Sequence, residues 1–224
     1  MYSPTCLGAT LSNVATVLPE PNRLRAGGPR TIERIRAAAL RSFGEHGASA
    51  TTMRGVAAGA GVSLGLVQHH FATKAGLTRA VDDYVVDLLV ETMSRPLPEP
   101  PVDSVAEIGN RVTWLFSEYP DMAAYVGRAL ADGSAVGVRI FDTLLAVGVA
   151  RWQQRIDRGE VRPDIDVTWA AINGLVLALG AISLKPHLDR HLAEPLTSPA
   201  QLERWQRAVD SLLREGLFRR PSSE

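Results

Sequence analysis

Residues 51–77 read TTMRGVAAGAGVSLGLVQHHFATKAGL, and the rest of the chain is organised around this stretch. Two short helical patterns, residues 52–59 and 63–70, are separated by residues 60–62, which is the spacing of a helix-turn-helix. In that motif the second helix lies in a DNA groove and the first helix positions it. The stretch therefore predicts a DNA-reading element whose recognition helix covers residues 63–70.

The residues at the ends of the two helices suit this geometry. Thr51 or Thr52 can cap the first helix and Ser63 can cap the second, because a hydroxyl accepts a hydrogen bond from a backbone N–H of the first turn. Gly61 can adopt the positive φ that the tight turn requires. The sequence thus predicts the start of each helix and the turn between them.

The charges are unevenly distributed, although the formal net charge is zero. Residues 23–80 hold nine Lys or Arg against Glu33 and Glu45, a net charge of +7, whereas residues 81–224 carry a net charge of −6. A basic segment joined to an acidic one suits a protein that binds DNA through one end. The alternative is a solvated basic helix face that binds no partner.

The composition is that of an ordinary soluble protein, with 46% hydrophobic residues and Cys6 as the single cysteine among 224 residues. One cysteine excludes an internal disulfide and fits a reducing compartment. Residues 1–18 lack the charged start and compact apolar run of a secretory signal, so we expect a cytoplasmic, nucleoid-associated protein. Residues 1–29 are expected to form a flexible N-terminal arm, which either adds phosphate contacts or is a disordered leader.

Helical periodicity continues on both sides of the motif, without the alternation that is typical of strands. Residues 31–46 predict a first helix, and Thr73 opens a long fourth helix. The segment RPLPEPP at residues 95–101 holds four prolines and cannot continue that helix. We therefore predict an all-α fold: an N-terminal three-helix helix-turn-helix domain with linking helix four over residues 30–95, and a helical ligand-binding and dimerisation domain over residues 102–220.

Residues 167–184 contain no charged side chain, which fits either a membrane span or a helix packed on all sides. The run is short for a span and includes several polar and glycine positions, so we expect a packed helix and no membrane. Gly174, Ala178 and Ala181 share one face, where a helix of a second subunit can approach closely. Together with the last amphipathic helix, this face predicts a homodimer with a four-helix interface.

The string AGVSLGLVQHHF at residues 60–71 resembles the turn and recognition helix of the TetR-type transcriptional repressors of bacteria. In that family a similar AGVS-x-G-x-x-x-x-x-F string is followed by a lysine, here Lys74, and a leucine, here Leu77. Residues 31–80 carry nearly all of the resemblance, since the second domain resembles the family only in helix count and in an RPD-type loop. The resemblance implies a homodimer that binds a palindromic double-stranded DNA operator and a small-molecule effector.

The resemblance also implies which side chains read the bases. Gln68 can bond to adenine and Arg54 can fork to guanine, while Gly65 allows the backbone to approach the DNA closely. Leu64 and Leu66 can contact thymine methyl groups, or they can pack on a neighbouring helix instead.

Phosphate contacts are implied for Thr52, His70 and Lys74, and such contacts set position more than sequence preference. The family often has tyrosine where this chain has Gln68 and His70, so the usual contacts at these two positions are replaced. The predicted DNA-binding residues are Thr52, Arg54, Ser63, Leu64, Gly65, Leu66, Gln68, His69, His70 and Lys74.

Aromatic side chains in the second domain can line an effector pocket or form ordinary helical core. A mostly apolar lining would select a hydrophobic or aromatic ligand. The pocket candidates are Trp114, Phe116, Tyr119, Tyr125, Phe141, Trp152 and Trp169.

The sequence offers little for catalysis or metal binding. His187 and His191 have helical i, i+4 spacing with Asp189 and Glu194 near, but Pro186 disturbs that helix and no third ligand is evident. No nucleophile motif, phosphate loop or dinucleotide fingerprint is present. We therefore expect no metal, no cofactor and no enzyme activity.

Together these features predict a ligand-responsive transcriptional repressor that releases its operator when a small, hydrophobic molecule binds the second domain. Two alternatives are an all-α enzyme with its active site in the second domain and a helical protein-interaction module. The enzyme would need convergent acids, bases or metal ligands, which the sequence does not display. The interaction module leaves the basic N-terminal segment unexplained.

Overall fold

The computed structural model describes residues 30–97, 104–162 and 164–217, so the predicted arm at residues 1–29 lies outside it. In these ranges the regular structure consists of ten α-helices and no strand, which confirms the all-α fold class. The helices are α1 (Thr31–His46), α2 (Met53–Ala60), α3 (Leu64–Phe71), α4 (Lys74–Ser94), α5 (Ser104–Glu118), α6 (Pro120–Ala131), α7 (Ala135–Asp157), α8 (Val167–Ser183), α9 (Lys185–Leu188) and α10 (Pro199–Leu217).

Side-chain caps place the helix starts where the sequence predicts them. Thr52 accepts a hydrogen bond from the Gly55 N–H at 3.0 Å, so Thr52 and not Thr51 caps α2. Thr51 is buried instead, and its hydroxyl donates to the Gly47 carbonyl. Each capping oxygen satisfies a backbone donor that has no partner within the helix.

The three helices of the predicted DNA-binding domain pack around one apolar centre and against α4. Ile35 and Phe43 of α1, Val56 of α2, Val67 of α3 and Leu77 of α4 are all fully buried. Each helix presents one apolar stripe inward, which leaves the opposite face of α3 free for contacts outside the domain.

The apolar core continues across the predicted domain boundary. α1 packs along α6, and the Phe43 and Tyr125 rings lie 6.0 Å apart. Gly44 permits this approach, because a Cβ there would lie 3.2 Å from the Tyr125 backbone nitrogen. The prolines at residues 95–101 divide the chain in sequence, but the buried side chains on both sides form one cluster.

Helix α8 is the apolar segment that raised the question of a membrane span. Among the described residues no single helix is long and apolar enough to cross a membrane, and only α6 and α7 together, across a bend of 103°, meet the length and composition.

The outward face of α8 differs from the prediction. Gly174 and Ala178 line an internal cavity and Ala181 is buried, so these small residues face the interior of the subunit and not a second subunit. The exposed face carries Trp169 and Val176 instead, with 60% and 55% of their surface accessible. The small-residue interface was therefore wrong, because an uncharged helix does not reveal which side its own subunit covers.

Candidate DNA-binding interface and ligand cavity

The turn that precedes the recognition helix α3 is stabilised at both of its ends. Gly61 has φ +64° and ends α2, and the Ser63 hydroxyl accepts from the Leu66 N–H at 3.2 Å. Arg34 of α1 donates to the carbonyls of Ala60 at 2.6 Å and Gly61 at 3.2 Å. The guanidinium thus satisfies carbonyls that α2 leaves unpaired at its end and fixes the turn from the outside.

Most of the predicted DNA contacts are accessible to solvent. Seven are exposed and three are half-buried: the exposed ones are Thr52, Arg54, Ser63, Gly65, Gln68, His69 and His70, and the half-buried ones are Leu64, Leu66 and Lys74.

The two leucines of α3 have different surroundings. Leu64 packs against the apolar core, which fits the alternative that it stabilises the domain. Leu66 is half-buried and lies two residues after Leu64, so its side chain points to a different side of the helix. Leu66 is therefore the better placed of the two for a thymine methyl group.

Two of the predicted phosphate contacts already have partners within the chain. The Lys74 ammonium donates to the Ser49 carbonyl at 2.7 Å, which draws it over the loop between α1 and α2. The Thr52 hydroxyl accepts from Gly55, but it keeps its own proton. Both groups retain donors that a phosphate oxygen can accept from.

The link from α3 to α4 is unusually tight. Ala72 has φ +57°, and the Thr73 N–H donates to the Phe71 carbonyl at 2.6 Å, which closes a γ-turn. A Cβ at Gly76 would lie 2.3 Å from that same carbonyl oxygen. No sequence pattern predicted this junction, which fixes the angle between the recognition helix and α4.

A cavity of about 180 Å³ lies in the second half of the molecule and is lined by α4 to α8 and α10. Its lining is apolar except for four side chains, Arg151, Arg155, Gln206 and Asp210. A mostly apolar cavity with few polar groups is the usual form of a small-molecule site.

The aromatic candidates divide into two groups. Phe116 and Trp152 line the cavity. Trp205 of α10 also lines it, 5.9 Å from the Phe116 ring, and sequence reasoning missed it because it belongs to the stripe assigned to dimerisation. The candidates that do not line the cavity are Trp114, Tyr119, Tyr125, Phe141 and Trp169.

Four of these five side chains have other surroundings in the structure. Trp114 and Tyr119 pack edge to face at 5.3 Å, and Trp169 lies on the exposed face of α8. Tyr125 is buried against Phe43, where its hydroxyl donates to Asp82 of α4. The presence of an aromatic side chain alone therefore did not distinguish residues that line the cavity from residues that pack between helices.

Polar contacts connect the cavity helices to the DNA-binding helices. Arg128 of α6 donates to the Gly44 and Glu45 carbonyls of α1 at 3.0 and 3.1 Å. Arg41 of α1 pairs with Asp121 of α6 at 3.2 Å. These contacts join α6 to α1, which packs against α2 of the helix-turn-helix.

Asp82 is the titratable group at this junction. Burial raises the pKa of its carboxyl, while the hydrogen bond from Tyr125 and the charge of Arg139 oppose the rise. Burial and the Asp82 contact likewise raise the pKa of the Tyr125 hydroxyl. A raised carboxyl pKa in the folded state means that this group favours folding below its unfolded pKa, and that the contribution is lost as pH rises through the folded pKa.

Asp82→Asn should remove this dependence, because the amide oxygen can still accept from Tyr125 but does not ionise. The free energy of unfolding of the variant, relative to the unmodified chain, should increase as pH rises from about 4 to about 7. Urea unfolding at several pH values measures this difference. Asp87→Asn, at an exposed position of α4, is the control; parallel pH curves for Asp82→Asn and the unmodified chain would contradict the assignment.

No group of three or more His, Cys, Asp or Glu side chains in the described ranges could hold a metal ion. α9 ends at Leu188, so His187 and His191 do not share a helix face, and His187 Nδ1 lies 2.9 Å from Arg190.

Comparison with known proteins agrees with this geometry. Residues 35–81 match the model described as bacterial regulatory proteins, tetR family. The HTH-type transcriptional regulatory protein RaaS of Mycobacterium tuberculosis is 29% identical over 138 residues, which are 59% of this chain and 60% of that protein. The chain thus aligns with about three fifths of the relative's length.

Solved structures extend the similarity to both halves of the chain. The ketosteroid transcriptional regulator KstR2 of Mycobacterium tuberculosis superposes with a TM-score of 0.66 at 18% identity, covering 88% of this chain and 100% of that chain. SmeT, the repressor of the Stenotrophomonas maltophilia multidrug efflux pump SmeDEF, gives a TM-score of 0.65 at 19% identity, covering 86% and 94%. Residues 35–81 therefore match the DNA-binding domain of the tetR family of bacterial regulatory proteins, and the described helices share the fold of these solved regulators.

Proposed function

We propose that the chain is a ligand-responsive transcriptional repressor, which binds a palindromic operator as a homodimer at the nucleoid and releases it when a small molecule occupies the cavity. The observation that carries the proposal is that α4 connects an exposed recognition helix with a mostly apolar cavity. Leu89 and Met93 of α4 line the cavity, while the other end of α4 joins α3.

The release mechanism follows from the shared helices. Met122, Ala123 and Val126 of α6 line the cavity, and α6 packs along α1. A ligand that fits the cavity better in one arrangement of α4 and α6 shifts the population toward that arrangement. The two recognition helices of the dimer then no longer match half-sites one helical turn apart.

The dimer interface is proposed on the outward faces of α8 and α10. Trp169 and Val176 of α8 and Leu212 of α10 are each more than half exposed in the single chain. Trp169 and Val176 are seven residues apart and share a helix face. A second copy that packs α8 and α10 against the same two helices would form a four-helix interface and cover these side chains.

The DNA-binding role is tested by recovering the operator with a genome-wide binding footprint, then comparing Gln68→Ala and Lys74→Ala in gel shifts. Gln68→Ala should relax preference at one base position, at a cost of about 1–3 kcal/mol against the best base. Lys74→Ala should weaken binding to all sequences alike and reduce the salt slope by about one unit.

Matched controls exist for both variants. Gln153→Ala on α7 and Lys185→Ala at α9 remove the same side chains far from α3 and should leave operator affinity unchanged. Equal losses on operator and random DNA for Gln68→Ala would refute its base-reading role. Failure to recover any salt-sensitive DNA site would favour the protein-interaction module.

Gly65→Ala should raise the stability of the fold and weaken DNA binding. Gly65 is exposed within α3, and the nearest atom to a Cβ there is the Ser63 hydroxyl at 4.0 Å. Because alanine favours a helix over glycine, the free energy of unfolding should rise by up to about 1 kcal/mol. Operator affinity should nevertheless fall at least about tenfold if the α3 backbone approaches the bases closely.

Gly59→Ala on α2 is the control, since its Cβ would face Ala38 of α1 at an ordinary 3.6 Å. It should show the same gain in stability with no loss of DNA binding, measured by urea unfolding and gel shift. Unchanged operator affinity in Gly65→Ala would exclude close backbone approach at this position.

A further inference from the structure

Three arginines from α5 and α7 meet where these helices face the end of α4. Arg111 is fully buried, and its guanidinium is occupied: it donates to Glu107 at 2.8 Å, to the Arg95 carbonyl at 2.8 Å and to the Pro96 carbonyl at 2.9 Å. Arg155 donates to the Ser104 hydroxyl at 2.8 Å. Both of these side chains therefore have structural roles.

Arg151 is the third arginine of this group. Its Nη2 donates to the carbonyls of Met93 and Arg95, but its Nη1 is buried and has no hydrogen-bond partner in the structure. Burial, together with the charges of Arg111 and Arg155, lowers the pKa of Arg151 to about 10, so the side chain is still cationic at neutral pH. A buried charged donor without an acceptor is costly, and its presence calls for an explanation.

The position of Arg151 relates this donor to the cavity. Arg151 lines the apolar cavity, and it also lines a second, more polar cleft of about 460 Å³. Asp210 is the one acidic side chain among the described residues that line the apolar cavity, and it lies 3.8 Å from Arg214. The Arg151 end of the cavity is therefore electropositive, while its walls are hydrocarbon.

We propose that the cavity binds an amphipathic carboxylate, a compact apolar group that carries one negative charge, and that the carboxylate accepts a hydrogen bond from Arg151 Nη1. This inference rests on the proposed function and names the chemical class of its effector. A carboxylate supplies both the missing acceptor and the missing counter-charge, and a bond between two charged groups is stronger than one between neutral groups. A neutral hydrophobic ligand would supply neither.

The cavity volume limits the apolar part of the ligand. A protein cavity of about 150 Å³ lined by aliphatic and aromatic side chains accommodates benzene. At about 180 Å³, this cavity accepts one ring or a folded chain of about eight carbons. Octanoate is therefore a suitable probe, with octan-1-ol as its neutral counterpart and octylamine as its cationic one.

Calorimetric titration of the full chain with these three probes tests the proposal. Octanoate should bind at least about tenfold more tightly than octan-1-ol, and octylamine should bind most weakly. Arg151→Gln should lower octanoate affinity about tenfold and octan-1-ol affinity much less, because a hydroxyl can accept from Arg151 but carries no charge. Arg207→Gln on the exposed side of α10 should change neither. Equal binding of octanoate and octan-1-ol by the unmodified chain, or no binding of octanoate at millimolar concentration, overturns the proposal even if Arg151→Gln fails to fold.

Operator gel shifts with the same probes distinguish this inference from the proposed function. Release of DNA by octanoate, lost in Arg151→Gln, supports both. Octanoate binding without release of DNA supports the carboxylate site and contradicts its regulatory coupling. Release by octan-1-ol alone supports ligand-responsive repression and overturns the carboxylate inference.

Discussion

Arg111→Met should lower the free energy of unfolding by about 3–5 kcal/mol, the range expected when one member of a buried ion pair is removed. Arg111 is fully buried, and the Glu107 carboxylate that accepts from it is itself nearly covered. The substitution fills most of the arginine volume but leaves this carboxylate and the Pro96 carbonyl without their donor, while the Arg95 carbonyl keeps only the bond from Arg151. Urea unfolding followed by circular dichroism measures the loss.

The double variant Arg111→Met/Glu107→Gln should recover part of this stability, because the uncompensated carboxylate is then removed. Arg207→Met is the control, since Arg207 is exposed and lies 4.0 Å from Glu203 on the surface of α10. Its effect should stay below about 0.5 kcal/mol. A loss below about 1 kcal/mol for Arg111→Met would show that the pair contributes no more than a surface contact.

Gly137→Ala should destabilise the fold by about 3 kcal/mol or more. Gly137 is buried in the first turn of α7, where a Cβ would lie 2.2 Å from the Ala129 carbonyl oxygen and 2.7 Å from its carbon. That carbonyl already accepts from the Ser134 hydroxyl and N–H, so it cannot rotate away cheaply. Relief requires a shift of α6 against α7, which exceeds the usual cost of overpacking a core.

Thermal and urea unfolding of Gly137→Ala measure this cost. Gly59→Ala, with ordinary space at its Cβ, is the matched control and should be neutral or stabilising. Because α6 and α7 both line the cavity, binding of any cavity ligand should also weaken. Equal stability of the two variants would mean that the α6–α7 turn can open without strain.

The helix-turn-helix was predictable because its determinants are local. Thr52, Gly61 and Ser63 act within three or four residues of their own positions. Each capping hydroxyl and the backbone N–H from which it accepts therefore lie in the same short stretch of sequence. Arg34 was not predictable, because it acts on carbonyls 26 and 27 residues away. Arg34 contributes to the positive charge of residues 23–80, but only the fold shows that its guanidinium binds backbone carbonyls of the turn.

The cavity was less predictable for a related reason. Trp114 and Phe116 lie two residues apart on α5 and so point to different sides of the helix, and only Phe116 reaches the cavity. Periodicity shows that a helix has an apolar side, but not whether that side faces another helix or an empty volume. The contact residues on α3 and the dimer interface stay predictions until DNA binding and oligomeric state are measured.

The continuity of the core from α1 to α6 bears on how the protein is made. During translation α1 emerges before α6, the helix that covers its inner face. The Tyr125 ring of α6 packs on Phe43, and Arg128 of α6 binds the Gly44 and Glu45 carbonyls, which lie 84 and 83 residues earlier in the chain. Domains of a growing chain fold once their own contacts are complete. The packing of α1 is therefore complete only after α6 has left the ribosome, so the N-terminal helices depend on the second half of the chain for their final contacts.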